Sequence, residues 1–416
     1  MGKKNIHEIT ESTPIWENLE NIVRQRVQVF VQQILEEEVN ELLGRGRYER
    51  VKEVDMAPGK RNGHGKPRKL TLSGGTITVR RPRLRDLEER YESRILPLFK
   101  RRTEEVGELI PELYAHGLAQ GDFDLALRGI LGEDAPLSAS TVARLKEKWQ
   151  ADKAAWDQRS LSDLEVVYLW VDGVYVKAGL EKEKACVFVA VAGLSDGSKA
   201  VIALSSGHGE SAHSWADFLR DLKKRGMNCP RMIVGDGNLG IWGAVASVYP
   251  HADEQRCWNH RIVNGVDKLP KRLQATGREL LKRIPYAESL DECEALKKEF
   301  QHWCAEKGQK AAAKVLDDDW QRMVSFYSYP KEHWPHLRTS NIVESPFAAL
   351  RLRTDAAKRF KKVDNAVAVI WKTLLIVEKR FRKLRSPELM KELFLGAKYD
   401  DGTLIQGPEQ KMRDAA

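Results

Sequence analysis

The order of predicted strands and helices between residues 165 and 268 constrains the fold of this chain more than any other feature. Three alternating runs at 165–179, 185–193 and 199–205 are typical of strands, and Ser195-Asp-Gly197 is a hairpin turn signal between the last two. Helix, strand, helix, strand and helix patterns then follow at 211–225, 231–235, 239–248, 254–257 and 258–268. This order predicts an α/β domain with a mixed five-stranded sheet.

A three-stranded meander followed by alternating helices and strands is the order of the ribonuclease-H-like fold. We therefore assign residues 161–268 to the first part of a ribonuclease-H-like catalytic core. Residues 269–334 have an almost wholly helical pattern and predict an all-helical insertion. Residues 335–390 are expected to return to the core, with the apolar stretch 366–377 packing on the sheet, and 391–416 to form a tail.

The first 160 residues predict separate modules, because a chain of 416 residues is long enough for two or three domains. In residues 1–56, apolar residues recur at three- and four-residue steps over 14–43 and predict an amphipathic helix. Its apolar stripe would pack either on the rest of the chain or on a second copy. Residues 57–103 predict a basic connector and a β-hairpin that turns at Ser73-Gly-Gly75.

Residues 104–160 have the pattern of a helix-turn-helix, with a break at Gly132-Glu-Asp-Ala-Pro136 between two helical runs. The second helix would present Ser140, Thr141, Arg144 and Lys148 to the major groove of DNA. Helical pairs with a proline-containing turn are also common in proteins that do not bind DNA. The basic hairpin next to this region favours the DNA-binding interpretation.

Positive charge is concentrated in two segments of a chain whose net charge is +9. Residues 60–102 contain fourteen Lys or Arg against four Asp or Glu, and residues 351–385 contain twelve against three. Such runs are usually solvated surfaces, but two clusters of this size favour phosphate contacts. The candidate DNA-binding residues in these segments are Arg61, Arg68, Lys69, Arg80, Arg81, Arg83, Arg351, Arg353, Lys358, Arg359, Lys361 and Lys362.

Several classes of protein are disfavoured by the remaining composition. No run approaches the ~18 apolar residues of a membrane span, and the N-terminus lacks the features of a secretory signal. Five scattered cysteines without a Cys-x-x-Cys pair suggest reduced thiols in a cytoplasmic protein.

Three acidic residues lie where the predicted topology could bring them together. Asp172 is flanked by apolar residues in the first strand, and Asp236 ends the fourth strand between two glycines. In this fold those strands are neighbours, and Glu344 lies where the chain returns to the sheet after the insertion. Carboxylates on adjacent elements can share two Mg²⁺ ions, for which Mn²⁺ can substitute, as ligands for phosphoryl transfer.

Each of these residues also has a simpler interpretation. An Asp-Gly pair is usually a turn, and Glu344 could be the third residue of a capping box opened by Asn341. Pro346 would then lie beyond the first turn of that helix, so a helix start at Ser345 is the alternative. The metal-binding hypothesis gains weight because all three carboxylates lie on the right elements of one topology.

Other polar residues are candidates for supporting roles around the carboxylates. Cys257 and His260 have the spacing of half a zinc site, but no second ligand pair is evident, so packing or hydrogen bonding is favoured. His333 and Asn341 precede Glu344 and could line the cleft. The acidic run 317–319 is interpreted as a solvated helical face.

The chain resembles the bacterial Mutator-type insertion-sequence transposases. The resemblance runs from Lys60-Arg-Asn-Gly63 to Arg351-Leu-Arg-Thr354 through four further motifs: Tyr168-Leu-Trp-Val-Asp-Gly-Val-Tyr-Val-Lys-Ala-Gly179, Val234-Gly-Asp-Gly237, Gln255-Arg-Cys-Trp-Asn-His260 and Glu332-His-Trp-Pro-His-Leu-Arg-Thr-Ser-Asn-Ile-Val-Glu344. It implies an Asp-Asp-Glu transposase whose triad is Asp172, Asp236 and Glu344, with Cys257 and His260 supporting. Pro346 departs from the family's usual pattern.

The resulting hypothesis is a bacterial enzyme that binds the inverted repeats at the ends of its own element, hydrolyses a phosphodiester at each 3′ end and joins that end to target DNA. Its expected partners are double-stranded DNA and at least one further copy of the chain, with no membrane and no small-molecule cofactor, and it would associate with the nucleoid when bound to DNA. Two alternatives remain: a ribonuclease-H-like structure-selective nuclease, and a helix-turn-helix regulator with an inactive α/β domain.

Overall fold

The computed structural model describes residues 15–49, 59–97, 100–104, 106–107, 112–113, 128, 131, 139–178, 184–207, 209, 211–237 and 240–407. The chain divides into two compact units. The first comprises residues 1–114 and 118–145, and the second comprises residues 115–117 and 146–416.

The first unit is built from one long helix and four short strands. Helix α1 (Ile15–Leu43) is followed by strands β1 (Lys60–His64), β2 (Arg68–Leu72), β3 (Gly75–Val79) and β4 (Pro82–Arg85). Strands β2 and β3 form the hairpin predicted around Ser73-Gly-Gly75, and β1 pairs antiparallel with β4. Strand β1 therefore occupies part of what the sequence predicts as an irregular connector.

Apolar side chains pack helix α1 against the β2–β3 hairpin in this unit. Leu35 of α1 clusters with Ile77, Val79 and Leu96, all of which are almost completely buried. This packing within the chain covers the C-terminal part of the helix, whereas Phe30 remains 61% exposed.

Two glutamates of α1 add polar anchors to this packing. Glu36 forms an ion pair with Arg61 and contacts His64, both on β1. Glu38 is buried and accepts hydrogen bonds from the Tyr91 hydroxyl and the Arg94 backbone N–H. Burial alone would raise the pKa of Glu38, but the hydrogen bonds hold it below its usual range.

Helix α2 (Ala139–Asp157) corresponds to the second helix of the predicted helix-turn-helix. The turn predicted at residues 132–136 lies outside the described residues, as do the side chains of Ser140 and Thr141.

A mixed five-stranded sheet is the centre of the second unit, as the sequence predicts. Its strands are β5 (Val166–Val176), β6 (Ala185–Leu194), β7 (Lys199–Gly207), β8 (Met232–Gly235) and β9 (Asp253–Arg256). They are arranged in the order β7-β6-β5-β8-β9. The first three strands pair antiparallel, and β8 and β9 continue the sheet in parallel with β5.

The two faces of β5 are covered by different parts of the chain, because successive side chains of a strand point to opposite faces. Leu169 and Val171 join an apolar cluster that includes residues of helices α3 (Ala212–Lys224) and α4 (Ile241–Val248). On the other face, the Trp170 indole donates a hydrogen bond to the His336 carbonyl. Asp172 shares this second face by its place in the alternation.

Helix α5 (Trp258–Asp267) leads into the helical insertion, which was predicted for residues 269–334. Its α-helices are α6 (Lys271–Arg283), α7 (Leu290–Glu306), α8 (Lys310–Lys314) and α9 (Trp320–Val324), with one 3-10 turn after α6 and two after α9. The chain then returns through α10 (Trp334–Leu337), α11 (Asn341–Glu344) and α12 (Phe347–Ala357).

The last helices and strands complete the second unit. Helix α13 (Val363–Glu378) packs on the sheet, as predicted for 366–377, and its Glu378 accepts a hydrogen bond from the Val201 N–H of β7. Residues predicted as a tail instead include most of α14 (Glu388–Phe394) and a ribbon of β10 (Lys398–Asp400) and β11 (Thr403–Gln406). The ribbon turn is held by a hydrogen bond from the Gly402 N–H to the Tyr327 carbonyl.

Across the described residues, no helix is both long enough and apolar enough to traverse a lipid bilayer.

Candidate active site

Asp172 lies in the second half of β5, at the level of Val189 on β6. Apolar residues precede it in the strand, because the sheet is covered on both faces there. Its carboxylate accepts a hydrogen bond of 2.8 Å from the Gly173 N–H. The side chain is therefore partly buried at a point where the strand passes from the covered core towards more exposed residues.

Asp236 follows the last residue of β8, next to Asp172. Strands β5 and β8 pair in parallel with Trp170 opposite Val234, and continuing this register by two residues brings Asp236 beside Asp172. Gly237 has a φ of +84°, which favours glycine. Because the chain turns away here, the Asp236 carboxylate lies at the end of its strand.

Strand β9 delivers Cys257 and His260 to the same edge of the sheet. Gly235 pairs with Arg256, and the Cys257 N–H donates a 2.7 Å hydrogen bond to the Gly235 carbonyl. Helix α5 begins at the next residue, so His260 lies one helical turn after Cys257. Parallel strands thus place Asp236 and Cys257 at neighbouring strand ends.

Glu344 reaches the sheet on the short helix α11, which packs against β5 and β6. Ser340 precedes the helix, and its hydroxyl donates a hydrogen bond to the Glu344 carboxylate. The residue that contacts the Glu344 carboxylate is therefore Ser340, just before the helix, and not Asn341 as a capping box would require. Pro346 stands between α11 and α12, where its fixed φ begins the next helix without interrupting either one.

The carboxylates are close enough to influence one another. Burial, together with the negative charges of Asp236 and Glu344, raises the pKa of Asp172 to about 7, against the opposing effects of the Gly173 N–H and of His260. Interaction with the Cys257 sulfur raises the pKa of His260 to about 9, with Glu344 and Asp236 contributing. The site therefore holds more negative charge than the single imidazolium offsets.

The donor atoms at this edge fall into two overlapping sets. Among the described residues, the set whose ligand atoms all lie within 4.8 Å of one another is Cys257, His260 and Glu344. Asp172 and Asp236 lie beside it without joining this closest group. The carboxylates of Asp172, Asp236 and Glu344 fit a hard divalent cation such as Mg²⁺, because such an ion would offset their negative charge.

The other two residues predicted to support the site occupy different positions. His333 is fully buried and shares a 2.9 Å hydrogen bond with the Tyr168 hydroxyl, four residues before Asp172 on β5. Burial lowers the pKa of His333. Asn341 lies beside the site, where its side-chain carbonyl accepts a 3.1 Å hydrogen bond from Asn259 of α5.

The predicted DNA-binding residues of the first unit differ in how exposed their side chains are. Arg61 is engaged with Glu36, Arg68 donates to the Lys100 carbonyl, and Arg81 donates to the Tyr91 carbonyl. The exposed members are Lys69, Arg80, Arg83 and Arg144. On the continuation of α2 in the second unit, Lys148 is exposed as well.

The C-terminal basic residues also fall into two groups. Arg351, Lys358, Arg359, Lys361 and Lys362 are exposed, and we call them the C-terminal basic segment. Arg353 differs because its side chain is only 4% exposed. The Phe360 N–H donates a 2.9 Å hydrogen bond to the Lys177 carbonyl, which fixes this segment to the chain just beyond β5.

Two residues of the site escaped the sequence analysis. Arg256 is almost fully buried and passes against Gly237, where a Cβ atom would lie 2.3 Å from its Nε. Its guanidinium also donates to Asp319, a member of the acidic run interpreted as a solvated face. Ser340 contacts both Glu344 and Cys257. The one sequence feature that points to Arg256 is its place directly before Cys257 in the Gln255–His260 motif.

Comparison with known proteins identifies the family. The profile described as "Transposase, Mutator family" matches residues 3–381. The chain is 42% identical over 303 residues to the transposase for insertion sequence element IS6120 of Mycolicibacterium smegmatis, covering 73% of this chain and 94% of that protein. It is 34% identical to the transposase for insertion sequence element IST2 of Acidithiobacillus ferrooxidans, covering 67% of this chain and 94% of that protein. The chain belongs to the Mutator family of transposases.

Proposed function

We propose that this chain is an Asp-Asp-Glu transposase that cuts and joins DNA at the ends of its own insertion sequence. The observation that carries the proposal is the convergence of Asp172, Asp236 and Glu344 at one edge of the sheet, where the charges of the latter two raise the pKa of the first. The strand order β7-β6-β5-β8-β9, with an antiparallel half and a parallel half, supports a ribonuclease-H-like core. The names of the similar transposases agree with this activity.

Asp172, Asp236 and Glu344 would hold two Mg²⁺ ions, with Mn²⁺ as a substitute. When bound, these ions would supply Lewis acidity for phosphodiester hydrolysis and for attack by the freed 3′ hydroxyl group. The protein's own contribution is positional: β5 and β8 fix the two aspartates, and the Ser340 hydroxyl orients Glu344. Nδ1 of His260, 3.8 Å from Oε1 of Glu344, places a positive charge beside that carboxylate.

The exposed basic residues would bind the phosphates of the substrate. The C-terminal basic segment suits this role, because the Phe360–Lys177 hydrogen bond anchors it five residues beyond Asp172. At about 3.3 Å per residue, the anchor lies within about 17 Å of that carboxylate along the strand direction. Residues of the first unit would contribute recognition of the inverted repeats, and synapsis of two ends would require at least a dimer.

The proposal is tested by measuring 3′-end cleavage and strand transfer on DNA with the element's inverted repeat in Mg²⁺. Asp172→Asn, Asp236→Asn and Glu344→Gln should each lower both rates about a thousandfold or more, equivalent to several kcal/mol of transition-state stabilisation. DNA affinity, measured by fluorescence anisotropy, should change little. Asp267→Asn, an exposed aspartate on α5, is the matched control and should retain activity.

Each alternative activity predicts a different outcome. A structure-selective nuclease would cut branched DNA without preferring the inverted repeat and would transfer no strand. A DNA-binding regulator would bind the repeat and show no cleavage in wild type or variants. Retention of cleavage by all three carboxylate variants would refute the assigned triad.

A further inference from the structure

Cys257, His260 and Glu344 form a second donor set that overlaps the carboxylate triad at one residue. Their ligand atoms lie within 4.8 Å of one another. Cys257 and His260 are one turn apart at the start of α5, and Glu344 comes from α11, more than eighty residues later. The sequence shows the Cys-x-x-His pair without further ligands, and the fold supplies the third.

The chemistry of this set differs from that of three carboxylates. A thiolate, an imidazole and one carboxylate suit zinc, which is commonly bound by three protein ligands and an open fourth position. Tetrahedral zinc with bonds of about 2.0 Å places its nitrogen and oxygen ligands about 3.3 Å apart. Nδ1 of His260 and Oε1 of Glu344 are 3.8 Å apart, so a small side-chain movement would complete that geometry.

Two contacts around the set support a ligand role. Nδ1 of His260 is buried and makes no hydrogen bond of ordinary length and angle within the described part of the chain, although the Cys257 sulfur and the Glu344 carboxylate lie close to this imidazole. Ser340, which is fully buried, donates its backbone N–H to the Cys257 sulfur at 3.3 Å and its hydroxyl to Glu344. Such outer contacts orient ligands and offset the charge of a metal-bound thiolate.

We propose that Cys257, His260 and Glu344 bind a zinc ion, and that zinc bound there inhibits the enzyme because it withdraws Glu344 from the triad. The proposed zinc binding is argued from the positions of these side chains and does not depend on the proposed function. The inhibition rests on the proposed function, since it requires Glu344 to serve the carboxylate site.

Binding is tested on the full chain with Co²⁺ as a spectroscopic probe, followed by displacement with zinc. Wild type should show thiolate-to-cobalt charge-transfer absorption, and Cys257→Ser should lose it. His260→Gln, a change at a side chain that is 41% exposed, should weaken zinc binding at least about tenfold. Cys229→Ser removes an exposed thiol remote from the set and should leave the absorption unchanged.

The variants of the triad separate this proposal from the proposed function. Asp172→Asn should keep the cobalt absorption while losing cleavage, whereas Glu344→Gln should weaken both. Absorption that survives Cys257→Ser, or disappears in Asp172→Asn, would overturn the zinc site.

Inhibition is measured as the Mg²⁺-dependent cleavage rate with and without zinc, each variant compared with its own zinc-free rate. Micromolar zinc should slow the wild type much more than it slows His260→Gln, and equal slowing of the two would overturn inhibition through this site. If the wild type cleaves no DNA in Mg²⁺, the proposed function fails, while the cobalt spectra still decide whether the zinc site exists.

Discussion

Gly237 directly follows a proposed catalytic aspartate, and two independent constraints act on it. Its φ of +84° lies in the region that side chains rarely adopt, and a Cβ atom would come within 2.3 Å of the Arg256 Nε. Arg256 cannot simply move away, because it is nearly buried and its guanidinium is bound to Asp319. The position therefore requires glycine for both backbone and packing reasons.

Gly237→Ala should destabilise the second unit by about 1–3 kcal/mol, the usual cost of a strained backbone position. Urea unfolding followed by tryptophan fluorescence reports on that unit, because it contains ten of the eleven tryptophans. Gly243→Ala is the control, since Gly243 is a glycine of helix α4 where a Cβ would meet nothing within 4 Å. That variant should gain about 0.5–1 kcal/mol. Equal midpoints for the two variants would contradict this account.

At the residue scale, the sequence pointed to candidate site residues but not to the contacts that those residues make. Asp172 and Asp236 were proposed as site residues because a carboxylate in or directly after an apolar strand is costly to bury without a partner or a ligand. Arg256 was not found, since a lone arginine in a basic chain has no distinguishing pattern. Its partner Asp319 was assigned to solvent because sequence spacing alone does not show that this residue adopts a φ of +67°.

Among the elements, the helical insertion is tied to the sheet by a chain of alternating charges. Arg256 of β9 donates to Asp319, which caps α9, and Asp319 accepts a second hydrogen bond of 2.7 Å from Arg322. Arg322 in turn donates to Glu254 of β9. Arg261 of α5 adds a hydrogen bond to the Asp318 carbonyl. These contacts hold the insertion against β9, the strand that ends directly before Cys257.

Arg256→Gln should cost about 3 kcal/mol of unfolding free energy, because it leaves part of a largely buried ion pair without its partner. Asp319→Asn should cost less, since asparagine tolerates the left-handed backbone there and keeps one hydrogen-bonding oxygen. The double variant should be less destabilised than the sum of the singles, which urea unfolding of all four proteins measures.

Arg283→Gln provides the control for this cycle. It removes a 2.8 Å ion pair with Glu299 on the same insertion, but both side chains are about half exposed. An exposed pair contributes about 0–1 kcal/mol. If Arg256→Gln lowered the unfolding free energy no more than Arg283→Gln, the buried charged network would not be what holds the insertion against the sheet.

Element order was the most predictable part of the fold. The five core strands were predicted within a few residues, because alternation, the Ser195-Asp-Gly197 turn and the glycine stops are local signals. Strand β1 was missed, since Lys60-Arg-Asn-Gly-His64 has no apolar alternation and pairs with β4 over twenty residues away. The C-terminal ribbon was missed for a related reason, because the exposed β11 gives no alternating pattern of burial.

Across the whole molecule, the basic residues singled out from the sequence differ in how exposed their side chains are. Arg61 and Arg353 are engaged or buried, whereas the C-terminal basic segment is exposed near the end of β5. Counting charges in a sequence cannot separate these two groups, because burial depends on contacts between distant residues. Glu344 has a similar history. It was proposed from its place in the expected order of elements, after the insertion, because no local pattern distinguishes it from other glutamates.

The salt dependence of DNA binding tests the role of the exposed group. Each phosphate contact contributes a slope of about 0.9 to the plot of log affinity against log salt concentration. The double variant Lys361→Gln/Lys362→Gln should therefore lower that slope by about 1.8, measured by anisotropy across a salt series. Lys298→Gln/Lys307→Gln removes the same charge from exposed positions of the insertion and should leave the slope unchanged.

The position of Glu344 along the chain has a consequence for biosynthesis. The strands of the sheet are all encoded by residue 256, and Glu344 emerges from the ribosome about ninety residues later. At translation speeds of about 5–20 residues per second, the sheet has several seconds to form before the last carboxylate is available. Under the proposed function, a nascent chain would gain its third catalytic carboxylate only after residue 344 is made, and a product truncated inside the insertion would carry the first two acidic residues without the third.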